Sequence, residues 1–221
     1  MFIVAIRALW YISAATGFEI FVREIGGSFP ISGKKKLMTY TENEKQLTEQ
    51  KGEPAKSLLV DGCLHCIAQC DQILSILSQE HYALDSKGSA SIGAHIRHIL
   101  DRFHCFFAGN AGSLIDYDAR KRDREIEQNL DAATFALASV TRRIEEFRDS
   151  PSCHAPISVK ESVLPSRPAV NIPSTVEREL MGLITHSIHH LAIIALLARS
   201  YGHQVDKDFG KAPSTIVYER A

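Results

Sequence analysis

What this chain has little of narrows it before any motif is read. The apolar-looking N-terminus, MFIVAIRALWYISAATGFEIFV, is cut by Arg7 and Glu19, short of the roughly 20 uninterrupted apolar residues of a membrane helix. A transmembrane span is excluded there, and a charged n-region and a small-x-small cleavage site, the marks of a signal peptide, are missing. Net charge is nearly absent: 25 Lys and Arg stand against 26 Asp and Glu, leaving −1. That removes the electrostatic case for nucleic acid or an anionic membrane as the main partner. Small molecules or proteins remain. Cysteine is scarce and odd in number: there are 5, at positions 63, 66, 70, 105 and 153, a poor disulfide framework that fits a reducing, cytoplasmic compartment. There is no Walker loop, G-x-S-x-G, H-E-x-x-H or dinucleotide fingerprint. Nor is there an internal repeat of 20 to 50 residues.

What is present suits one domain of ordinary size, since 221 residues at 45% hydrophobic content can bury a core. Residues 24–37 read as a Gly/Ser/Lys linker, after which Met38 opens a polar segment. The expectation is a folded domain over residues 38–221 starting at Met38, with residues 1–37 an unstructured or spuriously assigned extension.

Four helical patterns follow. The first runs from about Ala55 to Ser78, with Leu59, Cys63, Cys66, Cys70, Ile73 and Leu77 recurring at three- and four-residue steps. The second runs from about Ser91 to Phe107, striped by Ile92, Ile96, Ile99, Leu100 and Phe103. The third is the most regular: Ile126, Leu130, Ala133, Leu137, Val140, Ile144 and Phe147 alternate as in a bundle helix, which should end near Ser150-Pro151. The fourth opens on a capping box of Ser174 and Glu177 and runs to about Ser200, stopped by Tyr201-Gly202. Between the third and fourth, PISVKESVLPSRPAVNIPST alternates apolar residues about a Pro/Ser turn, predicting a short β-hairpin or extended crossover. The fold class is therefore all-α, a four-helix bundle with one long crossover.

The fourth helix, MGLITHSIHHLAIIALLARS, has little structural need for three imidazoles. On a helical wheel His186 and His190 fall within about 40° of each other, and one turn apart they can converge on one metal ion. His189 points elsewhere. Core histidines bonded to carbonyls are the ordinary alternative, and a third ligand from another helix would decide between them. His95, His98 and His104 all compete for that place; wheel position favours His95, and periodicity does not choose.

Other chemistry is weaker. Glu179 shares the face of His186 but lies about 10 Å up the axis, too far to be a ligand, so it lines the pocket or is a salt-bridged first-turn carboxylate. The cluster Tyr117, Asp118, Arg120, Arg122 and Asp123 offers guanidinium forks for an anionic group, or is a solvated loop with capping acids. Cys63, Cys66 and Cys70, with His65 between, sit on an apolar stripe where Cys packs as a small hydrophobe rather than binding zinc or an iron–sulfur cluster.

SIGAHIRHIL, YDARKRD, STVERELMGLITHSIHHLAII and the tail GKAPST together resemble the DinB-like (DinB/YfiT) superfamily of small metal-binding helical bundles, over roughly residues 55–217. Where that family often has a Trp before the Ser that opens the second helix, this chain has Ala90. The resemblance implies one ligand seven residues after that Ser, hence His98, and an H-x-x-x-H pair at His186 and His190. It also nudges the Tyr117–Asp123 cluster toward a structural or pocket-edge role. The implied cofactor is a divalent ion; nitrogen ligation suits Zn, Ni, Fe or Cu alike. Relatives of the resembling kind include metal-dependent hydrolases, thiol-dependent transferases and isomerases, and the metal-binding module of ergothioneine sulfoxide synthases. The leading expectation is thus a metal-dependent enzyme, of hydrolase or thiol-dependent transferase type, in which the ion activates water or a low-molecular-weight thiol against a small molecule. Acid or base candidates are Glu179, Asp101 and the remaining histidines. A non-catalytic, stress-linked metal or small-molecule binder is the alternative, and a structural module without metal is a third. Dimerisation is compatible with such a bundle.

Overall fold

The computed structural model describes residues 55–85, 90–110, 112–150 and 156–221. The expected extension over residues 1–37 and the start at Met38 lie outside them. Helix α1 (Ala55–Ile76) buries Val60, Cys63, Cys66, Ile67, Cys70, Ile73 and Leu74 along one stripe. It ends two residues before the expected Ser78, because that serine turns extended and caps a one-turn helix, α2 (Gln79–Ala83), accepting from the His81 N–H. Helix α3 (Ile92–Asn110) starts where Ser91 Oγ accepts from the Ala94 N–H, and it buries Ile92, Ile96, Ile99, Leu100, Phe103 and Phe106. Strand β1 (Leu114–Asp116) follows; no signal in the sequence announced it.

The third apolar stripe runs unbroken in sequence from Ile126, yet the helix is broken. Asp123 caps a short α4 (Arg124–Gln128), and Asn129 then takes an extended backbone of φ −127 and ψ 117. Its side chain accepts from the Asp131 and Ala132 N–H groups, opening α5 (Leu130–Arg148). An Asn side chain outcompetes the helical ladder for those first donors. Strand β2 (Ile157–Glu161) and strand β3 (Val170–Ser174) form the expected hairpin, antiparallel with Val159 opposite Ile172, and β1 adds to β2 in parallel, giving a sheet in the order β1-β2-β3. Pro173 is tolerated because β3 is an edge strand.

Helix α6 (Val176–Ser200) begins one residue later than the expected capping box. Ser174 is held in the sheet opposite Ile157, so Thr175 is the cap, accepting from the Arg178 N–H. A further helix, α7 (Pro213–Arg220), follows the tail. Gly210 straps that tail to the bundle at φ +72: its N–H donates to Gln69 Oε1 (2.7 Å), and a Cβ there would stand 2.6 Å from the Ala192 nitrogen.

Helix α1 packs against α5 and α6, and α3 packs against the same two, so α1 and α3 lie on one diagonal of a four-helix bundle. The described chain is mostly helical with a small sheet, as its periodicity implied, and one core cluster joins all four long helices. Helix α6 is the single described helix long and apolar enough to cross a membrane, with a mean hydropathy of 1.7. It packs against both α1 and α3 as one helix of the bundle.

Candidate metal centre

Packing α3 beside α6 brings together side chains 88 or more positions apart in sequence. His186 and His190 stand one turn apart on α6, and His98 faces them from α3. Ring centroids are 4.8 Å apart for His98 and His186, 4.7 Å for His98 and His190, and 4.6 Å for His186 and His190. One ligand atom from each lies within 4.8 Å of the others. Nitrogens sharing a tetrahedral ion stand about 3.3 Å apart, so small ring rotations close the set. Among the described residues this is the group of His, Cys, Asp or Glu side chains arranged to hold a cation.

The electrostatics keep these rings neutral. Burial first, then His190 and the Arg120, Arg97 and Arg102 charges push His98 down to about 4. Burial, then Arg102, push His186 down to about 4, and burial, then His186, push His190 down to about 3. Each ring is therefore neutral at neutral pH, the protonation state a metal ligand needs.

Each ring has a different second contact. His186 Nε2 is buried with no hydrogen-bond partner among the described residues, an orphan of the kind a bound cation satisfies. His190 Nδ1 meets His95 Nδ1 at 2.9 Å; if the proton sits on His190, its Nε2 is the ligand atom and His95 orients it, as outer partners of metal-bound histidines do. His98 Nδ1 accepts from Arg120 Nη1 at 3.0 Å, which places the proton of the neutral ring on Nε2. Three neutral imidazoles, the orphaned His186 Nε2 among their nitrogens, fit a divalent ion once His98 gives up its bond to Arg120.

The competing residues go elsewhere. His95 stands behind His190 rather than in the group, and His104 lines a separate cleft with Asp101, Cys105 and Lys121. His189 is exposed, its ring 5.1 Å from that of His190. Asp101 is buried and paired with Arg97 at 2.8 Å. Glu179 accepts from the hydroxyls of Tyr117 (2.8 Å) and Ser174 (2.6 Å). Cys63, Cys66 and Cys70 are buried free thiols in the core; desolvation raises all three, Cys66 to about 12. His65 meets Gln69 at 3.0 Å instead of joining them.

The Tyr117–Asp123 cluster divides its work. Tyr117 is buried and anchors Glu179, Asp118 accepts from Ser162, Asp123 caps α4, Arg122 is exposed with φ 50, and Arg120 reaches His98. Arg102 was not singled out from the sequence. It lies one turn after His98 on α3, stacks 3.5 Å over the Tyr117 ring and pairs with Glu161 of β2. Its position four residues after a candidate ligand was the available signal. A cavity of about 550 Å³, lined by Leu64, Leu137 and Thr141, lies between α1 and α5, across the bundle from the histidines.

The sequence model of the DinB family matches residues 67–211, a span that includes His98, His186 and His190. No curated protein and no solved structure matches the chain.

Proposed function

The chain belongs to the DinB family, and from that premise we propose that it binds a divalent metal ion through His98, His186 and His190 and uses it on a small molecule. The observation that carries this reading is the buried, unpartnered Nε2 of His186 inside a cluster of neutral imidazoles. Three nitrogen ligands leave room for a substrate, as catalytic sites do and closed structural sites do not. Such an ion supplies Lewis acidity toward water, a thiol or a carbonyl. Zn, Ni, Fe and Cu suit these donors alike. The chain's own residues hold the ligands neutral by burial, orient His190 through His95, and place the guanidinium of Arg120 beside the site. The reaction class this supports is hydrolysis, or transfer to a low-molecular-weight thiol as co-substrate, in the cytoplasm.

One observation favours a second reading, a non-catalytic metal or small-molecule binder. The two carboxylates nominated as acid or base are both engaged, Asp101 by Arg97 and Glu179 by two hydroxyls. Metal analysis of protein purified without a His tag, beside H98A and H190A, tests the first step. The wild type should retain close to one ion per chain and both variants should lose it; equal content in all three removes the site. A hydrolase and thiol-transfer screen of the loaded protein then separates enzyme from binder.

A further inference from the structure

Arg120 is an unbalanced cation. It enters from the connection between β1 and α4, is half-buried, and donates to His98 Nδ1. Its Nε is buried without a partner, and among the described residues no carboxylate pairs with it. The carboxylates of its own connection and of the elements beside it have other partners: Asp116 pairs with Lys160, Asp118 accepts from Ser162, Asp101 pairs with Arg97, Glu161 with Arg102, and Glu179 accepts from Tyr117 and Ser174. A guanidinium stays charged at any pH the protein meets, and a desolvated charge calls for a counter-ion. Its fork matches the two oxygens of a carboxylate.

We infer that Arg120 is the anion-recognition residue of the His98, His186 and His190 site, and that the small molecule bound there carries a carboxylate. This rests on the metal-centre reading and adds the substrate class to it. The tautomer of His98 supports the assignment. A neutral imidazole that accepts from Arg120 at Nδ1 carries its proton on Nε2. An ion held at Nδ1 would remove that acceptor outright; one held at Nε2 would leave the ring's proton on Nδ1, with no lone pair for a guanidinium. Either way Arg120 is released beside a divalent charge, and two cations held close together require an anion between them. Arg102 differs in already having a carboxylate partner, Glu161.

The test titrates acetate, and separately inorganic phosphate, into Co(II)-loaded and metal-free protein at constant ionic strength. The readouts are the visible Co(II) absorption bands and, for metal-free protein, calorimetry. Wild type should bind acetate saturably, R120Q about tenfold more weakly, R120K in between, and R142Q, at an exposed position on α5, as wild type. R120Q should still take up Co(II), which separates loss of anion binding from loss of the ion. Acetate affinity unchanged in R120Q, or Arg120-dependent binding of phosphate but not acetate, overturns the carboxylate assignment. If wild type takes up no Co(II), the metal reading fails, and calorimetry on metal-free protein decides this one: acetate binding that disappears in R120Q sustains it, and no binding overturns it. Should R120Q fail to fold, the weakening in R120K carries the test.

Discussion

At the scale of single residues, the site is defined as much by what stands behind the imidazoles as by the imidazoles. His95 is the clearest instance: a wheel places it toward the core, and the structure sets it 2.9 Å from His190 as that ring's hydrogen-bond partner. H95A should keep the metal site but weaken it about 10- to 100-fold, while H104A leaves affinity unchanged; competition against a metallochromic chelator measures both. The cysteines make the opposite case. Cys63 and Cys66 point their Sγ atoms at the Leu180 and Ile184 carbonyls at 3.9 Å, inside the core. With the thiols raised by burial, Cys63, Cys66 and Cys70 should stay unlabelled by a thiol reagent at pH 8 in the folded protein and label fully in denaturant. Peptide mapping reads this directly, and rapid labelling of Cys66 in the native state would show that α1 does not seal the core.

At the scale of elements, the apolar stripes were legible and their punctuation was not. The stripe from Ala133 to Phe147 is the buried face of α5, but periodicity carries no information about a side chain that takes the first N–H groups for itself, as Asn129 does. N129A should therefore cost about 1 kcal/mol by loss of the cap, seen as a lower urea midpoint with an unchanged slope. The tail makes a stronger demand. At Gly210 a left-handed backbone meets the α6 main chain at 2.6 Å, so G210A should cost more than about 1 kcal/mol and release Phe209 from its buried position. Heteronuclear spectra in which the resonances of the tail stay unmoved in G210A would refute this. The sheet links these elements to the site: β2 supplies Glu161 to Arg102, and Ser174 at the end of β3 holds Glu179.

At the scale of the whole molecule, the half-buried imidazoles make stability depend on pH. Their folded-state values, about 4, 4 and 3 for His98, His186 and His190, lie below the unfolded value of about 6.5. The unfolded chain then binds more protons than the folded one between those limits. Stability contributed by keeping the rings neutral is complete above about pH 6.5 and is lost as pH falls from there toward about 4. The melting temperature of metal-free protein should fall over that window, and less so in a variant with all three replaced by Gln; identical pH profiles would show that the rings are not desolvated. A divalent ion at 100 times its dissociation constant should add about 2.7 kcal/mol, roughly 5 to 10 °C in a chain of this size.

By itself the sequence determined the helical character, the apolar face of each long helix, the hairpin, and the pairing of His186 with His190, because all of these are local consequences of a 3.6-residue or two-residue period. Periodicity left open which histidine of α3 faces that pair; the family resemblance named His98, and the tertiary structure supplies the physical reason. His95 and His98 differ by one short rotation about the helix axis, and that rotation is set by how Ile96, Ile99 and Phe103 seat in the core, a matter of packing between elements. The same holds for Arg120, which a three-residue strand and its parallel partner carry back to a helix 22 positions away. No periodicity along the chain encodes a contact made by its return.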